Sequence, residues 1–293
     1  MEFVFRTDLA MERWNAAKIT HGRGRGVEGV TYRRMTVKGI GVHTMTVETQ
    51  GAAEILCKPI GTYYTISLDK TIKRVDDSFS DTAQCIGILL KQLLPKGERY
   101  LVVCLGNPNI TPDAIGPKCS EAVMVTRHLK EWMPEDFAPF ASVSMLCPGV
   151  LGTTGIESAS IVKGVVDTVQ PNAVIAVDAL AASAADRLCR TVQICNTGIE
   201  PGSGVGNRRY ALNEETLGVP VISIGVPTVV DADTFIYSMI EDAAPKQGRG
   251  EGMFITPREI DSFVSHSGKL LAYGINFALH EDLTLEDIDL FVG

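Results

Sequence analysis

The stretch that decides the fold reads Ala173-Val174-Ile175-Ala176-Val177-Asp178-Ala179-Leu180-Ala181-Ala182. Residues 173–177 are all apolar, which is typical of a strand buried on both faces of a parallel sheet. Helical patterns separate this run from similar runs elsewhere in the chain. We therefore predict an α/β fold with a mostly parallel, twisted sheet flanked by helices. The similar runs are residues 100–105, 142–146, 191–195 and 219–224.

Three helix starts are predicted between and after these runs. Thr154-Gly155-Ile156-Glu157 and Thr256-Pro257-Arg258-Glu259 have the pattern of capping boxes. A further helix is expected to begin near Pro117 and to carry Ala122, Val125, Leu129 and Trp132 along one face.

The N-terminal part of the chain has a different pattern. Residues 31–47 and 61–67 favour β structure, which we place at the edge of the same sheet. Two segments rich in glycine and charge, residues 21–26 and 245–252, are predicted to be mobile surface loops.

Composition restricts the class of protein. Lysine and arginine total 27 against 35 acidic residues, a formal net charge of −8, so direct nucleic-acid binding is not expected. The seven cysteines form no CxxC pair and favour free thiols in a reducing compartment. No apolar stretch reaches the roughly 18 residues that a membrane span needs. We therefore expect a cytoplasmic protein.

Two aspartates are the strongest candidates for catalysis. In α/β sheets, ligands bind beyond the carboxyl ends of strands, and the loops after residues 105, 177 and 195 are expected to share one crevice. Asp113 lies in the first loop and Asp178 begins the second. Two carboxylates in unlike environments can divide the roles of acid and base. The alternatives are a helix N-cap for Asp113 and a turn residue for Asp178.

The third loop contains Gly202-Ser203-Gly204-Val205-Gly206. It lacks the lysine of a Walker phosphate loop, so a turn that lines a peptide groove is the favoured interpretation. His128 follows the first loop and is considered as a proton carrier or metal ligand, although a structural histidine is the commoner case.

Several motifs in this order resemble the germination protease family of endospore-forming bacteria. The resemblance runs from about Arg6 to Ala232 and resumes at Ile255. The motifs are Thr111-Pro112-Asp113-Ala114-Ile115-Gly116-Pro117, Val125-Thr126-Arg127-His128-Leu129, Pro148-Gly149-Val150-Leu151-Gly152, Thr154-Gly155-Ile156-Glu157, Ile175-Ala176-Val177-Asp178-Ala179-Leu180-Ala181, Pro201-Gly202-Ser203-Gly204-Val205-Gly206-Asn207 and Gly225-Val226-Pro227-Thr228-Val229-Val230-Asp231-Ala232.

The resemblance implies an endopeptidase that starts the degradation of small acid-soluble spore proteins during germination. The family is treated as an atypical aspartic peptidase, and its two aspartates correspond to Asp113 and Asp178. It implies a homotetramer in the forespore or spore core, with no cofactor. The implied fold is that of the hydrogenase-maturation peptidases and phosphorylase-like proteins, some of which hold a divalent metal in a similar crevice.

The resemblance also implies a self-processing site. Family substrates are cut after an acidic residue in a pattern like Thr-Glu-(Phe/Ile)-Ala-Ser-Glu, and this chain contains Thr7-Asp8-Leu9-Ala10-Met11-Glu12. We therefore predict cleavage between Asp8 and Leu9. Residues 1–8 would be a short pro-segment, and residues 9–293 would form a single peptidase domain.

Two positions depart from the family pattern and bear on specificity. Ser183 stands where the family tends to have arginine, and Asn196 stands where aspartate is expected. Arg187, Arg208 and Arg209 remain candidates for binding substrate carboxylates. The full set of supporting or substrate-binding candidates is Asn107, His128, Glu157, Arg187, Ser203 and Arg208.

Two alternative functions stay open. One is a metal-dependent peptidase that uses the same carboxylates with Glu157 or His128. The other is a relative that binds spore proteins without cutting them.

Overall fold

The computed structural model describes residues 6–20, 26–68, 77–203, 206, 209–239 and 252–292. The segments expected to be mobile, 21–26 and 245–252, lie outside the described residues except for Gly26 and Gly252. The strands are β1 Val30–Val37, β2 Ile40–Val47, β3 Gly61–Ser67, β4 Arg99–Cys104, β5 Ser142–Leu146, β6 Ala173–Ala182, β7 Thr191–Cys195, β8 Val221–Asp231 and β9 Phe254–Ile255. The helices are α1 Ala10–Thr20, α2 Gln50–Leu56, α3 Asp77–Leu93, α4 Ile115–Ser120, α5 Arg127–Trp132, α6 Leu151–Thr154, α7 Ser158–Val169, α8 Glu214–Leu217, α9 Ala232–Met239, α10 Ile260–Leu279 and α11 Leu285–Val292.

These nine strands form one sheet in the order β1-β2-β3-β7-β8-β6-β4-β5, with β9 paired to β8. Strands β5, β4, β6 and β8 are parallel to one another, whereas β1, β2, β3 and β7 join in antiparallel pairs. The α/β fold class and the β-rich N-terminal region are thereby confirmed. The sheet is mixed, with a parallel half and an antiparallel half.

The direction of β7 differs from the expectation that three strands end at one edge. Because β7 runs antiparallel to β8, its carboxyl end lies at the opposite edge from those of β4, β6 and β8. The loop after β7 therefore does not enter a shared crevice from the same edge as the loop after β4.

Both predicted capping boxes are wrong. Thr154 ends α6, and α7 begins at Ser158 after Glu157, whose side chain makes no capping hydrogen bond. Helix α10 begins at Ile260, because the Thr256 hydroxyl donates to the Thr228 carbonyl at 2.9 Å instead of capping a helix.

The long helix predicted from Pro117 is also interrupted. The chain forms α4 and α5 with a non-helical segment between them. Within that segment the Met124 N–H donates to Asn276 Oδ1 at 3.0 Å, and the Thr126 N–H donates to the Val143 carbonyl at 3.1 Å. These long-range bonds take the backbone donors that a continuous helix would use.

Helices cover both faces of the sheet. On one face α3, α4 and α10 bury the largest cluster of apolar side chains. On the other face α1 and α2 pack near β2 and β3, while α7 and α8 pack on β4 and β6. The second face is thus covered in two separate groups, and a cleft lies between them over β6, β8 and β7.

A glycine shapes the loop that follows β4. Gly106 has φ +117°, and a Cβ atom built there would lie 1.9 Å from the Asp113 carbonyl oxygen. The loop can therefore fold back onto Asp113 only if residue 106 has no side chain.

We expect Gly106→Ala to lower the free energy of unfolding by more than about 2 kcal/mol, because it adds backbone strain to a steric overlap. Gly164→Ala in α7 is the matched control, since its Cβ would meet nothing within 4 Å and the helix favours alanine. Urea denaturation of both variants measures the difference. Equal stability of the two variants would contradict this account of the loop.

Candidate active site

The site is built on one transverse row of the sheet. Asp178 in β6 is paired with Gly225 in β8, and Gly225 is paired with Gln193 in β7. Paired residues on neighbouring strands direct their side chains to the same face. Since Gly225 has no side chain, the space between Asp178 and Gln193 stays open. A Cβ at 225 would also lie 2.5 Å from the Asp178 carbonyl oxygen.

The sequence predicted that Asp178 comes directly after its strand, with a turn residue as the alternative. Both predictions are wrong. Strand β6 continues to Ala182, so Asp178 lies inside it with a buried side chain. Its Oδ1 accepts a hydrogen bond from the Ala179 N–H at 2.9 Å.

Asp113 ends the 3-10 turn Thr111–Asp113 in the loop after β4, as expected. The N-cap alternative is wrong, because the residue that precedes α4 is Ala114. Asp113 Oδ2 instead accepts from the Asn107 N–H at 2.9 Å. Asn107, a predicted supporting residue, thus holds the candidate carboxylate through its backbone.

Both candidate carboxyl groups have raised pKa values. Burial raises the pKa of Asp178 well above its ordinary value, and the nearby negative charges of Asp113 and then Asp8 raise it further. Burial also raises the pKa of Asp113, although the Asn107 N–H opposes this shift. The pair therefore retains a proton at a pH where an exposed aspartate is ionised.

The cleft has a volume of about 920 Å³, and both Asp178 and Gln193 line it. Three parts of the chain meet there: the segment at Lys58, the sheet and the loop that contains Ser203. A cleft of this size accommodates a peptide segment.

Residues 6–8 of the chain's own N-terminal segment form part of the wall of this cleft. The Asp8 carboxylate accepts from the Ala181 N–H at 2.8 Å and from the Ser203 hydroxyl at 2.7 Å. The Asp8 N–H donates to the Ala181 carbonyl at 2.9 Å. Asp8 is thus held at both its backbone and its side chain, and Ser203 lies where a peptide groove was predicted.

The Asp8 carbonyl oxygen accepts two further hydrogen bonds. Lys58 Nζ donates to it at 2.8 Å, and Gln193 Nε2 donates to it at 3.0 Å. On the other side of the Asp8–Leu9 bond, the Ala10 N–H donates to Gln193 Oε1 at 2.7 Å. Gln193 therefore spans the peptide bond between Asp8 and Leu9.

Glu12 fixes the next part of the segment. Its carboxylate accepts from the Ser183 N–H at 2.7 Å, from the Ala184 N–H at 3.2 Å and from the Thr7 hydroxyl. Ser183, which stands where the family tends to have arginine, therefore lies beside Glu12 of the segment. It contacts the Glu12 carboxylate through its backbone N–H.

The other predicted site residues lie elsewhere. None of His128, Glu157 and Arg187 lines the cleft. His128 is exposed on α5, with its ring 5.2 Å from that of Trp132, and Glu157 is 3.6 Å from Arg209. Arg187 ends the 3-10 turn Ala185–Arg187. Arg208 lies outside the described residues.

Asn196, which stands where the family has aspartate, contacts the backbone of β3. Its Oδ1 accepts from the Thr62 N–H at 2.8 Å and ties the loop after β7 to β3. It does not line the cleft.

Sequence reasoning missed Lys58 and Gln193. Gln193 had a signal, because it is an amide in the middle of strand β7, whose five residues are all buried. Lys58 had none, since it follows the short helix α2 in a segment with no motif.

Within the described ranges, no group of three or more His, Cys, Asp or Glu is arranged to hold a metal ion. Among the helices in those ranges, none is long and apolar enough to cross a membrane.

Fold and site together define an α/β protein in which the buried carboxyl group of Asp178 lines a cleft that a peptide segment of the same chain also borders, as in a peptidase, while Asp113 lies outside the lining of that cleft. Residues 6–249 match the family described as germination protease. The germination protease of Clostridium perfringens is 39% identical over 323 aligned positions, which cover 98% of this chain and 99% of that protein. Those of Caldanaerobacter subterraneus and Bacillus velezensis are 40% and 35% identical, over 97% and 98% of this chain and 97% and 96% of theirs. This chain belongs to the germination protease family and is a protease.

One solved structure is similar at a greater distance. The [NiFe] hydrogenase maturation protease HycI of Thermococcus kodakarensis covers 64% of this chain and 98% of its own, with a TM-score of 0.37 and 18% sequence identity. This likeness is too weak to bear on the chemistry.

We expect Asp178→Asn to stabilise the protein at neutral pH. The folded pKa of Asp178 lies above its unfolded value, so the folded state binds the proton more tightly and stability falls as pH rises through that window. Asparagine does not titrate, hence the variant should melt at a higher temperature at pH 7, by about 2–4 °C for each kcal/mol. This difference in melting temperature between the variant and the wild type should shrink as pH falls towards about 4.

Calorimetry of intact chains, checked by mass, measures this gap. The exposed Asp136 supplies the control Asp136→Asn, for which no comparable gap is expected. An Asp178→Asn chain that is less stable than the wild type at pH 7 would contradict the buried, proton-holding carboxyl.

Proposed function

We propose that this protein is an endopeptidase that starts the degradation of small acid-soluble spore proteins in the germinating spore. It cuts after an acidic residue and activates itself by cleavage between Asp8 and Leu9. The observation that carries this proposal is the binding of residues 7–12 to β6, β7 and the loop after β6 at the cleft, with the Asp8 carbonyl oxygen held by Lys58 and Gln193. The segment lies there as a substrate would.

The contacts of the segment support a preference for acidic residues. The Asp8 carboxylate is held by one backbone N–H and one hydroxyl, and the Glu12 carboxylate by two backbone N–H groups and a hydroxyl. Hydrogen bonds to an ionised acceptor are stronger than those between neutral groups. A substrate with acidic residues at the same two positions would make the same contacts.

The carboxyl pair supplies acid and base in this proposal. The more buried Asp178 holds the shared proton, and ionised Asp113 removes a proton from the attacking water. The water oxygen bonds to the Asp8 carbonyl carbon, and the π electrons move to the carbonyl oxygen. When the C–N bond breaks, Asp178 protonates the Leu9 nitrogen. The products are a free Asp8 carboxyl and the amino terminus of Leu9.

The binding of the N-terminal segment at the cleft supports a zymogen. Arg6 holds the segment in place by two contacts. Its guanidinium lies 3.2 Å from the Asp231 carboxylate, and its backbone N–H donates to Thr234 Oγ1 at 3.4 Å. Residues 1–8 would act as the pro-segment, and residues 9–293 as the peptidase domain. Loss of the pro-segment would open the cleft to spore proteins.

Self-processing is the direct test of this proposal. The purified chain, incubated at mildly acidic pH, should yield a product that begins at Leu9, read by N-terminal sequencing and mass. Asp113→Asn and Asp178→Asn should each abolish processing while the circular dichroism spectrum is retained. A different new N-terminus, or processing in either variant at the wild-type rate, would contradict the assignment.

A second test concerns the acidic preference. We expect Asp8→Asn to slow processing about 10-fold to 100-fold, because the amide would replace two hydrogen bonds to an ionised carboxylate, from the Ala181 N–H and the Ser203 hydroxyl, with weaker neutral ones. Asp136→Asn is the control, since Asp136 is an exposed aspartate that does not line the cleft, and this variant should process normally. Processing of the Asp8→Asn chain at the wild-type rate would contradict the proposed preference for an acidic residue before the cleaved bond.

The two alternative functions are separated by simple assays. A protease that needs a metal would lose activity in a chelator and regain it with a divalent ion, whereas we expect processing to continue in the chelator. A binding relative without catalysis would leave a small acid-soluble spore protein intact. The homotetramer and the location in the spore core stay predictions, the first of which is measured by sedimentation.

A further inference from the structure

The geometry points to Lys58 and Gln193 as the oxyanion-binding pair of the peptidase, the two groups that stabilise negative charge on the scissile carbonyl oxygen. This inference rests on the proposed function, in particular on cleavage between Asp8 and Leu9. It assigns a catalytic role to two side chains outside the aspartate pair.

The first support is the convergence of two donors on one oxygen. Lys58 Nζ and Gln193 Nε2 lie 2.8 Å and 3.0 Å from the carbonyl oxygen of Asp8. Donors within about 2.7–3.1 Å of the developing oxyanion are the geometric signature of such a site. Among the described residues, Lys58 is the only one whose side-chain ammonium donates to residues 7–12, and it does so at the carbonyl of the predicted scissile bond.

The second support is the way the fold fixes Gln193. It lies in the central strand β7, level with Gly225 and Asp178 across the sheet. Its Oε1 accepts from the Ala10 N–H at 2.7 Å, which orients the amide so that Nε2 faces the Asp8 oxygen. The donor is therefore set in place before the reaction begins, and no reorganisation is needed when charge develops.

The third support is the environment of Lys58. Burial lowers the pKa of this ammonium, and the negative charge of Asp8 opposes that shift. A lysine removed from water in this way has strengthened interactions with nearby charge. Its Nζ is directed at a neutral carbonyl oxygen, where a full negative charge develops only in the transition state.

The assignment also completes the proton balance of the reaction. If the ammonium and the amide stabilise the oxyanion, the proton on Asp178 need not go to the carbonyl oxygen. It stays available for the Leu9 nitrogen when the C–N bond breaks. Asp113 receives the proton from water, so the pair begins and ends with one proton after exchange with solvent.

The experiment compares first-order rates of self-processing in full-length chains. The variants are Lys58→Met, which removes the ammonium, and Gln193→Glu, which keeps the acceptor for Ala10 but removes the donor. Each should slow the appearance of Leu9 at the new N-terminus by about 100-fold or more. Lys91→Met is the matched control, since Lys91 pairs with Glu281 on an exposed surface away from the cleft, and its rate should equal the wild type.

A second measurement separates catalysis from simple seating of the segment. Hydrogen exchange of residues 6–12 is followed by mass spectrometry in the uncleaved Asp178→Asn background, with and without each change. An oxyanion role predicts that protection of the Asp8 and Ala10 N–H groups is retained within a few-fold. Slow processing with retained protection supports the assignment.

Two results would overturn it: processing by both variants within about three-fold of the wild type, or slow processing accompanied by loss of protection, which would make the pair a holder of the segment. If Lys58→Met does not fold, Gln193→Glu decides by the same criteria. Failure of the wild-type chain to release Leu9 would be a failure of the proposed function itself, and the oxyanion assignment would fall with it.

Discussion

The structure depends on a carboxyl group placed inside a buried strand. Asp178 lies in the middle of β6, and burial together with Asp113 and Asp8 raises its pKa. An ionised carboxylate is strongly disfavoured in such a place, so the group holds its proton more tightly than an exposed aspartate does. In the proposed mechanism, this constraint lets Asp178 act as an acid at a pH at which an exposed aspartate is ionised.

The site then follows from the pairing of three strands. Gly225 separates Asp178 from Gln193 on one row of the sheet and leaves room there for a peptide. The antiparallel direction of β7 brings an amide to the site from the half of the sheet that carries β1–β3. Both halves of the mixed sheet are therefore needed for the site, because the parallel half supplies Asp178 and the antiparallel half supplies Gln193 to the same cleft.

The sequence predicted the parts of the molecule that depend on local pattern. Apolar runs and turn residues are local patterns that predict a structure directly. They predicted the buried strands, the edge β structure of residues 31–47 and the loop position of Asp113. The direction of β7, the length of β6 and the broken helix after α4 were not predicted, because they depend on hydrogen bonds between distant residues such as Met124 and Asn276. For the same reason His128 and Glu157 were considered near the aspartates, whereas Lys58 was overlooked.

The central claim is that residues 7–12 occupy the cleft as a substrate, with the Asp8–Leu9 bond presented to the aspartate pair. A crystal structure of the intact Asp178→Asn chain tests it most directly. We expect the Asp8 carbonyl oxygen within hydrogen-bond distance of Lys58 Nζ and Gln193 Nε2, and a water molecule on Asp113 facing the Asp8 carbonyl carbon. A structure in which residues 7–12 lie outside the cleft, or in which Asp113 is more than about 10 Å from that carbon, would contradict the account.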